Sequence, residues 1–195
     1  MKKLMIVAAV AMAAIASQAA QFTWKTGVSS TTGPVVLPGT VSGSLAEATA
    51  YIFADGAQQT VLDSFFTDGT ISAGALDGST MSTAGKIAGK TAEPFTYGGE
   101  GVAAHLDAFF AVVQTVGDQK YLFISDIASG DAAATGSKQL SFNATAAGAN
   151  LTTFGASDTK TYSKVGWYTA SVPEPTSGLL MLLGFAGLAL RRRRA

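Results

Sequence analysis

Cysteine is absent from the 195-residue chain, and histidine occurs once, at His105. Without cysteine there is no disulfide framework, no thiolate nucleophile, no thiolate-held zinc or iron–sulfur cluster, and no lipid-modified N-terminal cysteine. Charged residues make up only 13% of the sequence. With one histidine and few charged side chains, we expect no metal site, no cofactor and no catalytic constellation.

Arginine is missing from the middle of the chain and occurs only at Arg191, Arg192, Arg193 and Arg194. Residues 20–172 contain 7 lysines against 12 acidic residues, a formal excess of five negative charges. Arginine is the preferred side chain for paired hydrogen bonds to phosphate and guanine. An acidic domain without arginine is therefore not expected to bind nucleic acid.

The N-terminus has the layout of a secretory signal peptide. Lys2 and Lys3 precede an uncharged run from Leu4 to Ile15, and small residues follow up to Ala20. This apolar run is short for a hydrocarbon core of about 30 Å. We predict a signal peptide over residues 1–19, cleaved after Ala19 or one residue later by signal peptidase.

A different kind of segment closes the chain. Two prolines with one residue between them interrupt any helix or central strand in the sequence Val172-Pro173-Glu174-Pro175, because proline lacks an N–H and fixes φ. An almost wholly apolar stretch follows and ends at Arg191–Arg194. A helix over Gly178–Leu190 would be about 20 Å long, so spanning a bilayer requires flanking residues or local thinning. The arginines would act as the cytoplasmic stop-transfer cluster under the positive-inside rule.

These three ordered parts resemble the PEP-CTERM sorting signal of Gram-negative bacteria. The resemblance covers residues 172–194 and assigns the recognition motif to Pro173, Glu174 and Pro175. It implies recognition by an exosortase, removal of the apolar tail after a transient inner-membrane stage, and transfer to the outer envelope or the outside. The logic parallels a GPI signal, in which a temporary hydrophobic tail presents a nearby motif to a membrane enzyme.

Between the two ends, short apolar runs separated by turn residues predict strands. Residues 108–116 and 119–125 form the clearest pair, and the Gly117–Asp118 link between them fits a type II′ hairpin turn. Both arms are nearly continuously apolar, which predicts central strands covered on both faces. Further strands are predicted around Phe22 and Trp24 as an edge strand, and over residues 50–54, 140–144 and 162–169.

One segment shows helical spacing instead. Val61, Leu62, Phe65 and Phe66 predict a short helix within residues 57–67, and the Gly- and Ser-rich residues 68–101 read as loop. The predicted fold is mainly β, a single β-sandwich or jelly-roll-like domain over residues 20–171 with one short helix. The signal peptide (1–19) and a hydrophobic sorting helix within residues 172–195 flank it.

Three sets of residues in the middle of the chain are candidate sites. His105 and Asp107 share a strand face and would need Ser125 to complete a triad, but no Gly-x-Ser-x-Gly elbow is present. The pattern therefore favours a surface or partly buried histidine at a strand start. The Asp-Gly pairs at 55–56, 68–69 and 77–78 favour turns over Ca²⁺ ligands. Trp24, Tyr97, Trp167 and Tyr168 favour core packing over a sugar-stacking platform.

The sequence leaves three hypotheses open. The first is a non-enzymatic exported protein of the cell envelope or extracellular matrix, sorted through its C-terminus. The second is a secreted carbohydrate-binding module or polysaccharide hydrolase, with envelope polysaccharide as partner and two carboxylates about 5 to 10 Å apart in the enzyme version. The third is a permanently anchored single-pass inner-membrane protein, which would keep its tail.

Overall fold

Ten strands and one helix form in the part of the chain that a computed structural model describes: residues 19–26, 35, 37–38, 48–81, 94–100, 102–133, 135–144 and 150–171. In chain order they are β1 (Ala19–Thr26), β2 (Thr49–Ala54), α1 (Gln58–Asp68), β3 (Asp77–Thr80), β4 (Phe95–Glu100), β5 (Ala104–Val116), β6 (Gln119–Ile124), β7 (Ala128–Ala132), β8 (Ser137–Phe142), β9 (Leu151–Phe154) and β10 (Gly166–Ala170). The predicted signal peptide, apart from Ala19, and the sorting segment 172–195 lie outside the described residues. The division into three parts therefore stays a prediction.

The described strands form two sheets. The smaller sheet has the order β4-β1-β8, and the larger has the order β3-β2-β5-β6-β10-β9, with β7 also paired to β5. β1 runs antiparallel to β4 and parallel to β8, so the prediction of an edge strand there is wrong. The alternation of apolar residues reports which face is buried, and it carries no information on whether a strand has one neighbour or two.

The predicted hairpin is confirmed and forms the centre of the larger sheet. β5 and β6 pair antiparallel from Val116–Gln119 to Ala111–Ile124. Gly117 has a φ of 59°, the positive value that the first central residue of a hairpin turn needs. β5 begins four residues earlier than predicted, at Ala104, because its N-terminal part pairs with β7.

Side chains alternate across β5 into two separate hydrophobic clusters. Phe110 and Val112 join the cluster that also contains Trp24 of β1. Phe109 and Ala111 join the cluster that contains Leu62 of α1. The smaller sheet therefore covers one face of β5 and the helix covers the other, which confirms the prediction of a strand covered on both faces.

The fold class is mainly β with one short helix, as predicted. The two sheets do not close into a sandwich within the described residues, so the finer expectation of a β-sandwich or jelly roll is not confirmed. The second face of the larger sheet is covered by α1.

The helix is confirmed within one residue of its predicted bounds. Its first turn follows Asp55, whose Oδ1 accepts hydrogen bonds from the Gly56 N–H at 2.8 Å and from Gln58 Nε2 at 2.7 Å. It ends at Gly69, which has a φ of 66° and donates its N–H to the Phe65 carbonyl. A left-handed glycine after the last turn is a common helix terminator.

The prediction of loop over residues 68–101 is wrong for β3 and β4. β3 has the sequence Asp-Gly-Ser-Thr, which contains no apolar residue, and it forms by pairing with β2. Strand formation there depends on a neighbouring strand edge, which the local sequence does not reveal.

Candidate functional site

The last described strand delivers the C-terminal segment from the interior of the sheet. β10 lies between β6 and β9, and its Trp167 and Tyr168 are fully buried. Directly after the strand, the Ser171 N–H donates a hydrogen bond of 2.7 Å to the Phe154 carbonyl. The chain is therefore held in place up to the residue at which the sorting segment begins.

The turn between β5 and β6 holds this end of β10 from the other side. Gln119 Nε2 donates to Thr169 Oγ1 and, at 2.8 Å, to the Ala170 carbonyl. Thr169 Oγ1 in turn donates to the Lys120 carbonyl at 2.9 Å. Hydrogen bonds from both neighbouring strands thus fix the direction in which the chain leaves the sheet.

A groove of about 360 Å³ opens at this exit. Its walls come from the last turn of α1, from the start of β6 and its preceding turn, and from the end of β10: Phe65, Phe66, Asp118, Gln119, Lys120, Ala170 and Ser171. Lys120 Nζ also donates to the Gly69 carbonyl at 3.3 Å. We call this feature the exit groove.

Comparison with known families places a signal at this exit. Residues 171–194 match the family model described as the PEP-CTERM protein-sorting motif. The chain carries a PEP-CTERM sorting motif. The match begins at Ser171, the final described residue, and the PEP-CTERM motif implies exosortase processing and export to the cell envelope.

The match is confined to the C-terminal segment. Neither a curated protein nor a solved structure matches the chain. Pro173, Glu174 and Pro175 and the cluster Arg191–Arg194 fall inside the PEP-CTERM match but outside the described residues, so their individual roles stay predictions. Among the described residues, no helix is both long enough and apolar enough to cross a membrane.

His105 lies at the surface near the start of β5, as predicted. Its Nδ1 lies 2.7 Å from Asp131 Oδ1 on β7, and its Nε2 lies 3.1 Å from Asp107 Oδ1. The hydrogen bond to Asp131, followed by the one to Asp107, raises the pKa of His105, and a hydrogen bond from Ser129 is the main cause of the lowered pKa of Asp107. The arrangement favours a charged imidazolium held between two carboxylates.

Ser125 is not part of that cluster. Its side chain is buried, and Oγ accepts the Phe110 N–H at 2.9 Å while donating to the Asp126 carbonyl at 2.7 Å. The Ser125 hydroxyl therefore takes the place of a backbone carbonyl as the acceptor for the Phe110 N–H, at the point where the chain passes from β6 to β7 along β5. Because both hydrogen bonds of the Ser125 hydroxyl are to main-chain atoms, it does not form a triad with His105 and Asp107.

The sequence did not single out Asp131 or Asp126. Asp131 meets His105 only because β7 pairs with the N-terminal part of β5. Asp126 is half-buried, and its Oδ1 is buried without a hydrogen-bond partner, so burial raises the pKa of this carboxyl. No local pattern marks Asp131, since its contact with His105 depends on pairing between strands.

The three Asp-Gly pairs lie in turns or in a strand of the fold. The pairs at 55–56 and 68–69 occupy turns at the two ends of α1, as predicted, whereas Asp77–Gly78 lies in β3. Asp77 Oδ2 accepts the Trp24 Nε1–H at 2.7 Å, which links the larger sheet to β1. The described residues contain no group of three or more His, Cys, Asp or Glu side chains able to hold a metal ion.

The aromatic residues considered for sugar stacking lie in the hydrophobic core. Trp24, Trp167 and Tyr168 are fully buried. Tyr97 is half-buried and packs edge-on against Phe22, with ring centroids 6.2 Å apart. The preference for core packing over a sugar-stacking platform is confirmed for these four side chains.

Proposed function

We propose that the protein is an exported component of the cell envelope or extracellular matrix, sorted through its PEP-CTERM motif and without catalytic activity of its own. The observation that carries the proposal is the match of residues 171–194 to the sorting motif. In this proposal the β-rich domain is the exported part of the protein, and the segment that follows it is the sorting signal.

The processing sites proposed at the two ends fit the bounds of the folded part. Cleavage after Ala19 removes one residue of β1 and leaves Ala20, Phe22 and Trp24 in the core. At the other end, the motif residue Pro173 comes two residues after Ser171. Removal of the tail beyond the motif therefore leaves all the described strands intact, and cleavage after Ala19 removes only the first residue of β1.

The short connection also limits where the domain lies during sorting. From Ser171 to Gly178, where the apolar stretch begins, there are seven residues, which span at most about 25 Å when extended. In the proposed inner-membrane intermediate, the end of the domain that carries the exit groove therefore lies close to the outer surface of the membrane. The exosortase would meet Pro173–Glu174–Pro175 in the narrow space between them.

The roles proposed for the tail follow from its chemistry. The apolar residues after Gly178 hold the chain in the bilayer, and Arg191–Arg194 stay on the cytoplasmic side because moving four charges across the membrane is costly. Processing then separates the acidic domain from this tail.

The test is the mass of the intact chain in inner-membrane, outer-envelope and culture fractions of the native host. The proposal predicts a species that starts near Ala20, ends close to Pro173–Glu174–Pro175 and lacks Arg191–Arg194 outside the inner membrane. A chain that keeps its arginines and stays in the inner membrane would identify a permanent single-pass anchor and overturn the sorting proposal.

A further inference from the structure

We propose that the exit groove binds residues 172–175 of the same chain, with the Glu174 carboxylate against the Lys120 ammonium group. This inference deepens the proposed function, on which it rests for the meaning of the motif. The groove would hold the recognition motif at one fixed place on the domain before the exosortase takes it.

Continuity of the chain supports this occupant. Ala170 and Ser171 form part of the groove wall, so Val172 necessarily starts at the groove. The Ser171–Phe154 hydrogen bond fixes the starting direction. A segment tethered at the rim of its own site is present at an effective concentration in the millimolar range, so a weak contact is enough for occupancy.

The sequence of the segment limits its conformations. Pro173 and Pro175 each fix their own φ, and each disfavours the helical region for the residue before it. Ordering such a segment costs less conformational entropy than ordering a flexible one. Three extended residues reach about 10 Å from Ser171, which keeps Glu174 near the groove.

The walls of the groove match the two kinds of side chain in the segment. Phe65 and Phe66 supply an apolar surface for Val172. Lys120 supplies a cation, and Lys160 Nζ lies 5.5 Å from the centroid of the Phe66 ring. Asp118 is the acidic residue of the wall, and its charge would direct Glu174 toward the lysine side. A volume of about 360 Å³ lies at the small end of the range for binding pockets, which suits a few residues.

The test is carbodiimide cross-linking of the full chain in detergent micelles, which joins an ammonium and a carboxylate that are already in contact. The expected product is a peptide pair in which Lys120 is linked to Glu174. Lys164 is the matched control, because it is exposed and lies near the other end of β10. A Glu174 that links to Lys164 as often as to Lys120, or to no lysine at all, would overturn the proposal.

Two variants make the test specific. Lys120→Arg keeps the charge but removes the reactive amine, and Glu174→Gln removes the carboxylate, so each should abolish the link. The charge swap Lys120→Glu with Glu174→Lys should restore it with the partners exchanged. Failure of the swap to restore the link would count against a direct contact.

Processing in the native host separates the two proposals. A chain that is processed normally but shows no Lys120–Glu174 link would overturn the groove and leave the sorting function. A chain that shows the link but keeps Arg191–Arg194 in every fraction would overturn the sorting function, while the groove contact would stand.

Discussion

The β-rich part of the molecule and its C-terminal segment differ in what comparison with known proteins finds. The segment is matched by a family model along residues 171–194, whereas no curated protein and no solved structure matches the chain. A sorting signal has its parts in a fixed order along the chain, so a family model can describe it. A sheet requires only suitable burial on each face, and many sequences meet that requirement. The sorting motif can therefore be read directly from the sequence, while the activity of the β-rich part cannot.

The comparison implies that the two regions act separately. Changes in the β-rich part should alter the free energy of unfolding and leave the processed C-terminus of the folded fraction unchanged. Changes in the motif should block processing and alter the free energy of unfolding only slightly, through the loss of the proposed Lys120–Glu174 contact.

The largest effect is expected for Phe110→Ala. Phe110 is fully buried, and its ring centroid lies 5.2 Å from that of Phe142 and 6.1 Å from that of Trp24. Loss of the ring should lower the free energy of unfolding by about 3–5 kcal/mol, measured by denaturant titration. Phe110→Leu is the control and should cost less. A loss below about 1 kcal/mol for the alanine variant would contradict the packing of the smaller sheet on β5.

A smaller effect is expected for Trp24→Phe, which removes the hydrogen bond to Asp77 while keeping an aromatic ring. The bond of 2.7 Å ends on a carboxylate, so its loss should cost about 2–3 kcal/mol. Asp77→Asn retains an acceptor oxygen and should cost less. If the two variants destabilise equally, the negative charge of Asp77 rather than the donor from Trp24 is the important term.

Asp126→Asn should increase stability slightly at neutral pH. Burial raises the pKa of Asp126, so the folded state disfavours the charged carboxylate, and this penalty is present above the folded pKa and vanishes below the unfolded value near 3.8. The gain should stay under about 1 kcal/mol because the side chain is only partly buried. The unfolding curves of Asp126→Asn and the native protein should differ at neutral pH and coincide below pH 3.8. A difference in the free energy of unfolding that stays constant across this range would contradict the account.

The smallest effect concerns His105. Its pKa is raised, so the contribution of its charged form to stability is complete below the unfolded value of 6.5 and is lost as pH rises through the folded value. The single histidine gives one unambiguous NMR titration. Asp131→Asn and Asp107→Asn should each lower this pKa, because each removes a hydrogen bond that favours the charged ring. Equal pKa values in the variants and the native chain would show that the cluster does not form in solution.

Sequence reasoning located the parts of the fold whose side chains alternate between two environments. The β5–β6 hairpin, the helix and a strand over residues 50–54 were predicted because apolar residues recur at a strand or helix period. Sequence reasoning missed β3, β4, β7 and β9. Of these, β3 and β7 have the sequences Asp-Gly-Ser-Thr and Ala-Ser-Gly-Asp-Ala, which have little apolar content, and they pair with β2 and β5.

The candidate site divides in the same way. The motif Pro173–Glu174–Pro175 could be read directly, since its parts are adjacent along the chain. The exit groove could not, because its walls come from α1, the β5–β6 turn and β10, which only the fold brings together. The Asp131 partner of His105 is 26 residues away and was missed for the same reason.

The central claim is that the motif directs sorting while the β-rich domain folds without it. The most direct test is to replace Pro173, Glu174 and Pro175 together by alanine in the native host. The intact mass and the thermal midpoint of the variant are then compared with those of the native protein. The account predicts that the variant keeps Arg191–Arg194 in the inner-membrane fraction and stays folded, with a thermal midpoint lowered only slightly by the loss of the proposed Lys120–Glu174 contact. A variant that still loses its arginines and reaches the outer envelope would contradict it.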